Sequence, residues 1–207
     1  MAQQILKVPP TKNTLLSLKK QVRFLEEGHD LLERKRELLT RLVYERIGEY
    51  RRLRAAADEG IQKAYRCLAV TQLRMGSRAL HQASLGAEPA LRVDILPRRS
   101  LGVEYPAVTG ERLPIKPVGL LGTDASFDNT RDNLADAALL LAQLGEVEIA
   151  LHRLMEEQRK AQKRVNALKY NIIPLYQRTI HFIQSALEEE ERNTLFQVKV
   201  LRERSVV

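Results

Sequence analysis

Four histidines, one cysteine and a run of four glutamates are the residues of this chain best suited to metal binding, nucleophilic attack or proton transfer. His29, His81, His152 and His181 are scattered, with no second histidine or cysteine at the short spacing that brings two ligands onto one ion, so they read as seam or solvent-facing histidines. Cys67 lies within "AYRCLAVTQL", a helical context in which a thiol packs as a small apolar group. The acids of "EEEE" at 188–191 point around a helix rather than converging, so they form a solvated surface. No Gly-rich phosphate loop occurs. No catalytic, cofactor-binding or metal site is therefore expected, and no cofactor.

The remaining oddity is conformational. Pro174 stands inside the helical pattern "KRVNALKYNIIPLYQRTIHFIQSALEEEE" at 163–191, where it removes one backbone hydrogen bond and presses on the carbonyl of Tyr170. In a regular helix interior this costs about 3 kcal/mol, so a fixed bend is expected there.

The elements around these residues follow from periodicity. Leu15, Leu18, Val22, Leu25, Leu32, Leu39 and Val43, with His29 and Arg36 at two further seam positions, alternate in steps of three and four, the signature of a two-helix seam. Ile47, Tyr50, Leu53, Ala57, Ile61, Ala64 and Leu68 continue the stripe after a slip near Tyr50. Thr11 or Asn13 can cap its start, just after Pro9 and Pro10. A second stripe begins near Asn129 and recurs as Val165, Leu168, Ile172, Leu175, Thr179, Phe182 and Ala186. Two helices of such length, each about 90 Å at 1.5 Å per residue, bury their narrow stripes best against each other.

Pro89, Pro97, Pro106, Pro114 and Pro117 all fall between them. There Leu91, Val93 and Ile95 alternate with polar residues, and Val103 with Tyr105 begins a return strand. The expectation is an all-α chain: two long helices forming an antiparallel coiled coil, with a short central β-hairpin or irregular cap. It is read as a single elongated domain, with helices at 12–84 and 129–204 and a hairpin connector at 88–122. Low aromatic content (5%), no tryptophan and 29% charged residues agree, since they leave little bulk for a thick core.

The net charge of +8 makes an anionic partner worth considering, but the basic residues are interleaved with acids. Glu37 with Arg41, Glu59 with Lys63, and Glu156 with Lys160 sit four apart in the favourable helical order, as expected for a solvated surface. A single cysteine permits no internal disulfide, and no run approaches the roughly 18 apolar residues of a spanning helix. A soluble cytoplasmic chain is expected.

Three motifs together resemble the D subunit of the V-type and archaeal-type (V/A) rotary ATPases. The opening "PPTKNTLLSLKKQVRFLEEGHDLLERKRELL" carries Pro10, Thr11, Lys12, Leu15, Leu18, Gly28, Leu31, Leu32, Lys35 and Arg36. Near the other end "RVNALKYNIIP" and "TIHFI" supply Arg164, Val165, Asn166, Ala167, Leu168, Ile173, Pro174, Thr179 and Ile180, and "LGVEYP" at 101–106 fits between them. Lys169, Leu175 and Tyr176 depart from the pattern. The resemblance implies a non-catalytic rotor shaft in the central stalk, whose paired termini enter a ring of catalytic A and regulatory B subunits. It also implies a small stalk F subunit at its side and a funnel-shaped subunit linking it to the membrane rotor ring. Direct membrane insertion and nucleic-acid binding are not expected; the chain would be cytoplasmic and peripheral to the membrane, within a membrane-bound complex.

Under this reading Arg34, Lys35, Arg36, Arg159, Lys160, Lys163 and Arg164 are interface candidates for acidic loops of the ring, and Pro174 sets shaft curvature. The rivals are a basic coiled-coil scaffold for nucleic acid, the γ axle of an F-type enzyme, and an amphipathic membrane-surface helix. Interleaved acids count against the first, a connector too short for an α/β domain against the second, and narrow stripes against the third.

Overall fold

The computed structural model describes residues 5–114, 116, 118–119 and 122–204. Ile115, Pro117, Leu120 and Leu121 of the expected connector lie outside the described residues. In chain order the elements are α1 (Lys12–Met75), α2 (Ser77–Leu85), β1 (Leu91–Ser100), β2 (Val103–Arg112), α3 (Ala125–Ala167), a π-helical segment (Leu168–Ile172) and α4 (Ile173–Arg204). The fold is all-α with one two-stranded antiparallel hairpin.

Contacts group the chain into two units, Met1–Glu37 with Arg159–Val207, and Leu38–Gln158. In the first, Thr11 caps α1: its hydroxyl oxygen accepts the Thr14 N–H at 3.2 Å. Lys12 Nζ lies 2.7 Å from Glu191 Oε1, Gln177 donates to Glu26 at 3.3 Å, and Arg36 donates to Gln162 Oε1 at 2.9 Å. Partners on one helix descend in number as those on the other rise, so the pairing is antiparallel. Leu18 and Val22 are buried on one side of this seam, and Ala161, Val165, Thr179 and Ile183 on the other. Residues before α1 return along α4, where the Leu6 N–H donates to Thr179 Oγ1 at 3.2 Å.

In the second unit the same antiparallel sense holds. Asn133 donates to Cys67 Sγ at 3.5 Å, Thr71 and Thr130 hydroxyls meet at 2.8 Å, and Arg74 donates to Asp124 Oδ2 at 3.1 Å. Small residues allow a close approach: Ala57 and Ala64 are buried on α1, Ala135 and Ala137 on α3. A Cβ placed on Gly60 would stand 3.1 Å from Leu140 Cδ1. Fully burying Leu39 in this unit contributes about 2 kcal/mol, and Leu154 a similar amount.

The first helical run, expected unbroken across 12–84, is divided at Gly76, whose φ of 78° and ψ of 154° suit glycine alone. The hairpin closes through Leu101 and Gly102 with φ of 49° and 80°, the two left-handed residues of a type I′ turn that matches the strand twist. Only β2 reaches inward. Val103 and Tyr105 are buried, and the Arg46 guanidinium lies 5.9 Å from the Tyr105 ring centre. Arg112 bridges Asp132 and Asp136 of α3 at 3.4 and 3.2 Å.

Candidate functional site

The basic side chains singled out in the sequence lie on both helices of the first unit. Arg34 is exposed on α1, whereas Lys35 and Arg36 are half-buried. Arg36 is drawn into the seam, donating to Glu33 Oε1 at 2.5 Å as well as to Gln162. Its charge thus has a structural use within the chain. Arg159, Lys160, Lys163 and Arg164 are exposed on α3, just before the π-helical segment. His29 occupies the seam position read for it, with Nδ1 3.2 Å from Asp30 Oδ1. Among the described residues, no three His, Cys, Asp or Glu side chains gather as metal ligands would.

Pro174 is the second residue of α4, immediately after Leu168–Ile172 has wound as a π-helix. The Ile173 N–H donates to the carbonyl of Leu168, five residues back rather than four. The wider turn moves the ladder out of register just before the position whose nitrogen has no proton to donate. Phe182, expected in the seam, is 50% exposed, and Ile183 takes its place at 0%. After Ile172 the buried positions are Thr179 and Ile183, four apart, where strict alternation of threes and fours expects Thr179 and Phe182.

A surface that sequence periodicity did not isolate lies at the end of α4. Lys12, at the start of α1, pairs with Glu191, and α4 continues to Arg204. On that last stretch Leu195, Phe196, Val198 and Leu201 are exposed by 70, 67, 56 and 65%. Arg192, Lys199 and Arg202 are interspersed with them. Apolar residues crowded on an exposed helix end mark an interaction surface more often than isolated exposed leucines do. The available signal was "LFQVKVL" at 195–201, apolar but lying beyond the reach of any α1 heptad.

Electrostatics tie the base of this stretch. The Lys12 ammonium donates to Glu191 and holds that carboxyl below the usual carboxylate range, while Glu191 raises Lys12 above the ordinary lysine value. At the far end of α1, hydrogen bonds from Ser126 and Arg74 depress Asp124 in the same way.

A family model described as the ATP synthase D subunit matches residues 14–203. The chain belongs to the D-subunit family of ATP synthases. Among its relatives, the A-type ATP synthase D subunit of Pyrococcus furiosus is 33% identical over 203 residues, covering 96% of this chain and 95% of the relative. The V-type ATP synthase D subunit of Thermotoga neapolitana is 35% identical over 198 residues, covering 95% and 98% respectively. The A-type D subunit of Methanosphaera stadtmanae is 32% identical over 199 residues, with 94% and 93% covered. D subunits of either type are thus similar to this chain along nearly all its length. Among the described residues no helix is long and apolar enough to cross a membrane.

Proposed function

We propose that this chain is the central-stalk, rotor-shaft subunit of a V/A-type rotary ATPase or ATP synthase. It transmits torque between the catalytic ring and the membrane ion-translocating ring, and it carries no catalytic site itself. Membership of the D-subunit family makes it one component of a multisubunit ATP synthase complex. The observation that carries the shaft reading is the end of α4, where Leu195, Phe196, Val198 and Leu201 stand exposed beyond the Lys12–Glu191 pair. A helix end that is apolar around much of its circumference can turn against an apolar sleeve without a directional bond to lock it.

The ring of catalytic A and regulatory B subunits would take this end. Arg34 and Lys35, with Arg159, Lys160, Lys163 and Arg164, would face acidic loops of that ring through solvent-screened contacts worth at most about 1 kcal/mol each. Weak, numerous contacts suit a shaft that must release each position as it turns. Torque then works through population shift: an asymmetric shaft favours a different conformation at each catalytic interface. Pro174 and the π turn before it are a built-in source of such asymmetry. The small F subunit and the funnel-shaped subunit are the expected stalk partners, which places the chain in the cytoplasm, peripheral to the membrane.

The test is to add the purified chain to the isolated catalytic ring, with and without the small stalk partner, at matched ionic strength. One chain bound per ring with altered ATP turnover is the expected result. Absence of ring binding together with salt-sensitive binding to nucleic acid would replace the shaft with the scaffold reading.

A further inference from the structure

Among the described residues, the hairpin's hydrogen bonds to the helices run along the β2 edge. The Val108 N–H leaves the ladder and donates to Glu146 Oε2 at 2.8 Å, and the Glu104 carbonyl accepts from Arg153 at 2.6 Å. The register pairs Val108 with Ile95 and Glu104 with Arg99. These are therefore the non-hydrogen-bonded pairs of the antiparallel ladder, and they alternate with the bonded ones. It follows that the N–H and C=O groups of Leu91, Val93 and Ile95 point away from β2, while those of Arg92, Asp94 and Leu96 bond to it. The outer edge of β2 is occupied by α3. Among the described residues none is hydrogen-bonded to the outer edge of β1, and Ile95 is exposed by 65% and Leu96 by 61%. Pro97 brings no N–H, so the usable edge is Leu91–Leu96.

An open, partly apolar strand edge is a template for strand addition, and its charge selects what can be added. Arg92 already holds Asp94 at 3.5 Å, which leaves the other charged residues of β1, Arg98 and Arg99, giving the strand an excess of positive charge. We propose that the β1 edge takes up an extended acidic segment of a partner protein as a third strand. Backbone groups of Leu91, Val93 and Ile95 would supply the hydrogen bonds, and Arg98 and Arg99 the charge preference. The assignment stands apart from the shaft reading, because it uses only the hairpin and its fixed edge on α3.

Hydrogen exchange on the full chain, followed by NMR, tests it. The probe is a synthetic peptide of about ten residues alternating valine and glutamate, with a valine–lysine peptide as its counterpart. At millimolar valine–glutamate peptide, exchange at Val93 and Ile95 should slow about tenfold or more, while Arg92 and Asp94, already bonded to β2, stay unchanged. The lysine peptide should protect neither. Ile95→Pro removes one outward donor without touching a ladder bond, and should weaken binding about tenfold with Arg92 and Asp94 still protected. Should that variant lose the ladder, the pair Arg98→Glu and Arg99→Glu should reverse the preference towards the lysine peptide. No binding at millimolar peptide, binding without the alternating protection, or unchanged binding by an Ile95→Pro protein with an intact ladder would each overturn the proposal. Protection of Val93 and Ile95 on raising the chain's own concentration would overturn it too, by making a second copy the occupant.

Discussion

Gly110 shows how a single atom fixes the hairpin. A Cβ at this position would lie well inside van der Waals contact of Leu139 Cδ1, and the next atom of that side chain is 3.6 Å away. Because the near atom is the tip of a flexible side chain, Gly110→Ala should be accommodated by turning Leu139, at about 1–3 kcal/mol. Thermal unfolding of Gly110→Ala beside Gly110→Ala with Leu139→Ala checks this: the second substitution should recover part of the loss, and an additive loss would place the strain elsewhere. The Lys12–Glu191 pair gives a prediction with a sign. The Glu191 carboxyl is depressed by Lys12, so its contribution is present above the unfolded-chain value of about 4.3 and is lost as pH falls through the folded value. Lys12 is raised, so its contribution is lost only as pH rises through its own folded value, above about 10.4. An NMR titration of Glu191 should show its midpoint move up to the ordinary carboxylate range in Lys12→Ala. Both groups are fully exposed, so salt should shrink the shift.

At the scale of elements, the π turn is the feature whose cause can be isolated. Pro174 supplies no N–H to Tyr170, and the ladder has already slipped at Ile173, which bonds to Leu168. If the proline holds the slip, Pro174→Ala restores a donor and lets the segment anneal to an α-helix. The Ile173 N–H should then bond to Lys169, and Phe182 should turn towards the seam at the expense of Ile183. A structure of the variant decides it; an unchanged Ile173–Leu168 bond would mean that seam packing, not the proline, sets the register. In the assembled complex, normal coupling by a variant with a measurably straighter coiled coil would reject a role for curvature. The same segment shows what the sequence carries and what it does not. Leu18, Val22, Leu39, Ala57, Ala64, Val165 and Thr179 were readable as inward positions because three-and-four spacing reports a helix face directly, and all are buried. Alternation in Leu91–Ile95 and Val103–Tyr105 likewise announced the hairpin. Periodicity assumes an unbroken ladder, however. It carried the first helix through Gly76, because a glycine hinge does not alter residue types at the stripe, and it placed Phe182 inward where the neighbouring Ile183 is the buried residue. Pro174 signalled that something must give there, without saying that a wider turn would absorb it.

At the scale of the whole molecule, two kinds of surface were proposed to engage the ring, and they should fail differently. The basic positions Arg34, Lys35, Arg159, Lys160, Lys163 and Arg164 are legible in the sequence as charges, whereas the end of α4 is set apart by the Lys12–Glu191 pair at its base. Leu195 and Phe196 are so exposed that Leu195→Glu with Phe196→Glu should leave thermal stability of the chain within about 0.5 kcal/mol for each change. Ring binding by the same protein should weaken about tenfold or more through faster release, since apolar contacts act on residence. Reversing Lys163 and Arg164 to glutamate should instead slow association and flatten its dependence on salt, with release little changed. Measuring both rates across ionic strength separates the two surfaces. Tight ring binding by the Leu195→Glu, Phe196→Glu protein would remove the end of α4 from the shaft–ring contact, and would leave the basic faces to account for whatever engagement remains.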